Sequence, residues 1–156
     1  MLQALRELIA EVTDGGKHPD RFAEDDFRLA AVALLVHTAT IDGTFAETER
    51  KRLHAIVKQQ YSLDDDAANE LIAEAVELER RSIDLYQFTS KLNRTLDEKG
   101  RARIVEMMWQ IVFADGLVSE FEDNLIWRAA DLLGISSRER IEIGHRVAAR
   151  QAGEQT

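Results

Sequence analysis

A chain of 156 residues, 45% apolar and 31% charged, is long enough to bury one core and is read as a single soluble domain. It has no cysteine, which excludes disulfides, thiolate metal sites, cysteine nucleophiles and iron–sulfur clusters. A single proline and only 6% aromatic residues speak against a β-sandwich or barrel, and the net charge of −9 disfavours nonspecific binding to nucleic acid or anionic lipid.

Hydrophobic spacing is helical from end to end. Leu2, Leu5, Ile9 and Val12 form a first stripe that Asp14-Gly15-Gly16 ends, so residues 1–24 read as an N-terminal helix and loop. The charge at Arg6 and Glu7 is wrong for a signal peptide. Asp25 or Asp26 caps the next helix, which is apolar on every face from Leu29 to Val36 and must be buried at the centre. That run is the longest in the chain and far short of the about 20 residues that span a bilayer, so a cytoplasmic protein is expected. Gly43 ends this helix. A third carries Leu53, Ile56 and Val57, and a fourth, opened by Asp64, carries Ala68, Leu71 and Ala75. Asp84 is placed at the cap of a fifth with Leu85, Phe88 and Leu92 inside, and Asp97 or Glu98 opens a sixth with Ile104, Val105, Met108 and Ile111, ended by Gly116. Ser119-x-x-Glu122 and Ser136-x-x-Glu139 are capping boxes for the seventh and eighth, and the tail 151–156 is expected to fray. No segment alternates with period two. The expected fold is all-α, a compact bundle of seven to eight helices.

The chain also repeats itself. Asp42-Gly43-Thr44-Phe45-Ala46-Glu47-Thr48-Glu49 aligns with Asp115-Gly116-Leu117-Val118-Ser119-Glu120-Phe121-Glu122, 73 residues on. Each motif follows an apolar helix and precedes an amphipathic one, with a capped third helix behind it. The repeats span about 26–81 and 98–150 and slip by one residue near Tyr61, which suggests a pseudo-twofold domain with the two apolar helices at its centre. Two copies of Asp-Gly-x-apolar-x-Glu-x-Glu, each at the end of an apolar helix, resemble the TerB-like family linked to tellurite resistance, a domain type also found in DnaJ-like membrane co-chaperones. The resemblance covers roughly Phe27 to Val147; Ala46 departs from it where the second copy has Ser119. It implies a compact bundle of about seven helices, acidic positions proposed to bind metal ions, and a role in stress response at the membrane.

The residues themselves allow two readings of the acidic motifs. In the first they are helix caps: Gly43 and Gly116 take left-handed backbone, Glu47 and Glu120 favour the positive helix ends, and Ser119 with Glu122 closes a capping box. In the second, Asp42, Glu47, Glu49, Asp115, Glu120 and Glu122 are oxygen ligands for a divalent cation such as Ca²⁺ or Mg²⁺, shared if the two loops meet. A true EF-hand is excluded, because its first two ligand positions would fall on Thr38 and Thr40, or on Ile111 and Phe113. Glu142-x-x-His145 is half of a di-iron motif with no second half. His37 is expected at the edge of the central helix, hydrogen-bonded, and His54 at a partly buried packing position. Arg50-Lys51-Arg52, with Arg50 and Arg52 able to pair with Glu47 and Glu49, reads as a solvated face, and Trp109, Trp127 and Phe121 as packing residues.

The resulting expectation is a non-enzymatic, stress-linked binding or sensing module whose acidic loops take a divalent cation or a basic partner. No cofactor beyond that cation is expected. A protein partner is expected and nucleic acid is not; no segment spans a membrane, while peripheral membrane association stays open. The alternatives are a metal-dependent enzyme using the same carboxylates and a structural oligomerisation domain with an exposed apolar patch around Trp127 or Phe121.

Overall fold

The structure, a computed structural model, describes residues 26–41, 43, 45, 47–82, 84–115 and 118–154, excluding the side chains of Asp115 and Glu154. The expected first helix lies outside the described residues. Within them, seven α-helices and no strand occur: α1 (Phe27–Thr40), α2 (Glu47–Gln60), α3 (Asp65–Arg81), α4 (Tyr86–Thr95), α5 (Glu98–Val112), α6 (Glu120–Leu132) and α7 (Ser137–Glu154), with a 3₁₀ turn (Phe113–Asp115) after α5.

Short polar side chains start these helices by satisfying amides that have no partner in the first turn. Asp26 accepts from the Arg28 N–H at 2.8 Å, Asp64 from Ala67 at 2.8 Å and Asp97 from Gly100 at 2.8 Å. Asp84 accepts from Tyr86 N–H at 3.0 Å, but α4 begins one residue later than that aspartate would place it, with Leu85 as the cap residue and its side chain buried. At the other ends, Gly43 and Gly134 have positive φ (93° and 77°), a backbone that residues with a Cβ adopt only under strain. Arg101 ties two helix ends together, donating to the carbonyls of Leu96 (2.7 Å) and Leu133 (2.9 Å), which the helices leave unsatisfied.

Every residue of α1 from Leu29 to Val36 is buried, as an all-round apolar helix requires. It packs most extensively on α3, then on α4 and α5, and α5 packs most on α7. The first helix of each repeat therefore leans on the third of the same repeat, and the two apolar helices touch each other. Burial repeats with the sequence. Leu53, Ile56 and Val57 are buried in α2, as are Ile126, Ala129 and Ala130 in α6, 73 residues on.

Polar contacts repeat as well. His37 Nδ1 lies 2.8 Å from Glu79 Oε2, joining α1 to α3, and the edge position foreseen for this histidine is the observed one. At the equivalent place Gln151 Nε2 donates to the Gln110 carbonyl at 3.3 Å, joining α5 to α7. That contact overturns the expected fraying at 151: α7 runs to Glu154, and Gln151 is buried because its amide has a partner inside. Trp109 is a core residue. It stacks on Phe113 (5.4 Å between centroids), donates from Nε1 to the Arg140 carbonyl, and leaves no room above Gly144.

Candidate functional site

The two acidic turns open α2 and α6. In the second, the capping box forms completely: Ser119 Oγ accepts from Glu122 N–H (3.1 Å), and Glu122 Oε1 accepts from Ser119 N–H (2.9 Å). This exchange draws the Glu122 side chain back against the helix start, and the residue is 2% exposed. Glu49, at the equivalent position of α2, is also 2% exposed, although Ala46 supplies no hydroxyl there. Glu47 and Glu120, two residues earlier, face solvent. The predicted ligands thus divide into a buried pair, Glu49 and Glu122, held at the third position of their helices, and an exposed pair, Glu47 and Glu120, at the first.

Asp42 lies outside the described residues, as does the Asp115 side chain, so the separation of the two loop aspartates is not among the described distances. The turn Phe113–Asp115, which precedes the second loop, packs against α2. Among the described residues no three His, Asp or Glu side chains form a metal-ligating group. A cation held by the turns would therefore draw on the loop aspartates.

The EF-hand alternative fails in structure as in sequence. Thr38 and Thr40 lie inside α1 and donate to the carbonyls of Leu34 (2.8 Å) and Val36 (3.0 Å). Glu142 and His145 are both exposed on α7, whereas a di-iron half-motif must point into the bundle. At Ser136 only one of the two capping bonds forms, from Glu139 N–H to Ser136 Oγ (3.1 Å).

One expectation about surface residues is corrected. Trp127 and Phe121 are not packing residues; they are 48% and 67% exposed, because the inner face of α6 is already filled by Leu125, Ile126, Ala129 and Ala130. Arg50 reaches back over the Phe45 ring, 4.7 Å from its centroid. Trp127 and Tyr86 (64% exposed) flank a groove between α4 and α6 that also takes in Asp84 and Asp131. Sequence spacing could not reveal it, because it joins helices 40 residues apart. No helix among the described residues is long and apolar enough to cross a membrane.

Comparison with known proteins adds one finding. No curated protein and no solved structure matches the chain. The family model of tellurite resistance protein TerB matches residues 28–145, which takes in α1 from its second residue, α2 to α6, the first half of α7, and both acidic motifs. With most of its length covered by that match, the chain belongs to the TerB family.

Proposed function

We propose that this tellurite-resistance-related domain is a non-catalytic, stress-linked binding module of the cytoplasm, and that its two acidic turns together hold one divalent cation. The observation that carries the reading is the doubled arrangement at the starts of α2 and α6: a buried glutamate at the third position of each helix, and an exposed glutamate two residues earlier facing outward. Capping accounts for Glu122 and the helix dipole favours Glu47 and Glu120, and the same exposed carboxylates, with the aspartate before each glycine, are also the hard oxygen donors a cation would use. Carboxylate oxygens alone suit Ca²⁺ or Mg²⁺, which take hard oxygen ligands. The contact between the Phe113–Asp115 turn and α2 supports a shared ion, since it brings the backbone of Asp115 alongside the helix that the first loop opens. Carboxylates gathered there would repel one another, and a cation relieves that repulsion.

The ligands assigned are Asp42, Glu47, Asp115 and Glu120, with Glu49 and Glu122 setting the turns. The test is thermal unfolding of chelator-treated protein. An ion at 100 times its Kd stabilises by about 2.7 kcal/mol, which raises the melting temperature by roughly 5–10 °C for a domain of this size. Asp42→Asn with Asp115→Asn should remove the rise. Unchanged melting with both Ca²⁺ and Mg²⁺ would leave the turns as helix caps only.

A further inference from the structure

The packing of α2 on α3, and of α6 on α7, leaves a groove at the same place in each repeat, but the two grooves carry opposite charge. In the second, Asp123 and Trp127 line a cavity of about 350 Å³ with Glu120 and Arg140. In the first, the residues 73 positions earlier, Arg50 and His54, line a cavity of about 310 Å³ together with Lys51 and Asn69. Helix packing creates both grooves, but it does not dictate the sign of their linings. A cationic lining in a chain of net charge −9 is a local departure from the charge of the whole.

The first groove also has the form of a ligand site. Phe45, Leu53 and Ile72 give it an apolar wall. The Arg50 guanidinium lies over the Phe45 ring on that wall, 4.7 Å from its centroid, while the residue stays exposed at the mouth. Among the described residues neither Arg50 nor Lys51 makes an ion pair. The nearby carboxylate of Asp65 is engaged by Lys58 at 2.9 Å and lies 3.8 Å from His54 Nε2. The cations at the mouth thus keep their charge for a ligand, and the volume is that of a small-molecule pocket, at the lower end of the roughly 300–1,000 Å³ range.

We propose that this groove binds a small amphiphilic anion, a single phosphate or carboxylate group on a compact apolar body. The anionic head sits between Arg50 and Lys51 with His54 and Asn69 as further hydrogen-bonding groups, and the body lies against Phe45, Leu53 and Ile72. The site uses none of the six acidic-turn residues, so its success or failure is separate from that of cation binding.

The test is an amide-resolved NMR titration of metal-free protein with phenyl phosphate, with inorganic phosphate in parallel. The expected result is saturable shifts confined to residues around 45, 50–54 and 69–72, with inorganic phosphate at least about ten-fold weaker because it lacks the apolar body. Lys51→Glu should weaken phenyl phosphate binding by about ten-fold or more, and Arg50→Gln should also weaken it; both positions are exposed on α2, so the fold is kept. Asp123→Ala, in the opposite groove, should leave it unchanged. Shifts scattered over the surface, equal affinity for the two phosphates, or full binding by Lys51→Glu would overturn the proposal. A lipid source for the head group is tested with phosphatidylglycerol vesicles, which the net charge should repel; vesicle capture abolished by Lys51→Glu would overturn the assignment to a small free ligand.

Discussion

Removing the Ser119 hydroxyl isolates what the second acidic turn contributes as a helix start. In Ser119→Ala the Glu122 N–H loses its acceptor at 3.1 Å, while the return bond from Ser119 N–H to Glu122 Oε1, which uses the backbone amide of residue 119, can persist. The loss of a serine cap costs about 1 kcal/mol, within a range of about 0.5–2. For a domain of this size that lowers the melting temperature by roughly 2–4 °C. Ser136→Ala also loses one bond but should cost less, since that bond is exposed and water can replace the lost acceptor of the Glu139 N–H. Glu122→Gln, which keeps an acceptor oxygen and the buried volume, should be milder than Glu122→Ala, which loses the bond and opens a void at a position 2% exposed. Urea unfolding at pH 7, followed by circular dichroism, measures the series. Ser119→Ala within about 0.3 kcal/mol of the parent, or Ser136→Ala costing more than it, would refute the account of the turn.

Gly144→Ala would bring a Cβ to 2.8 Å from Trp109 Cε2 and should destabilise by about 1–3 kcal/mol, whereas Gly153→Ala, with nothing within 4 Å, should stabilise α7 by up to about 1 kcal/mol; chemical denaturation compares the two. Burial opposes ionisation of Glu106, but the Arg150 hydrogen bond and the Arg103 charge outweigh it and hold the carboxyl below its ordinary 4.5. Because that value is depressed on folding, the contribution is complete above about pH 4.5 and is lost as the pH falls through the folded value; Arg150→Ala should flatten this acid limb of stability, as read from melting against pH. Burial pushes the Tyr61 hydroxyl up to about 12 from 10.0, so its ultraviolet ionisation step should come near pH 12, and stability should decline as the pH rises above 10, where the unfolded chain releases the proton first.

The helices were legible because their signals are local. The all-round apolar run of α1, the aspartates before α1, α3 and α5, and the serines before α6 and α7 each act within a few residues. The repeat was legible for the same reason, and the recurring burial in α2 and α6 follows it. What escaped the sequence depends on neighbours far along the chain. Gln151 reads as tail until Gln110 is seen beside it, and Trp127 reads as packing until the inner face of α6 is seen to be full. Arg50-Lys51 likewise reads as a solvated run; only the approach of α3 turns it into the mouth of a groove. Of the acidic-turn residues, sequence identified the carboxylates but not their division into buried Glu49 and Glu122 and exposed Glu47 and Glu120; for Glu122 the return of the side chain onto its own helix start decides it.

The central claim, one cation shared by two acidic turns, is tested most directly by isothermal titration of chelator-treated protein with Ca²⁺ and Mg²⁺. The account predicts saturable binding of a single ion per chain, abolished by Asp42→Asn alone and by Asp115→Asn alone, because each loop supplies half of the site. Two ions per chain, with each variant losing only one, would contradict the shared site, and no saturable heat with either metal would contradict cation binding itself.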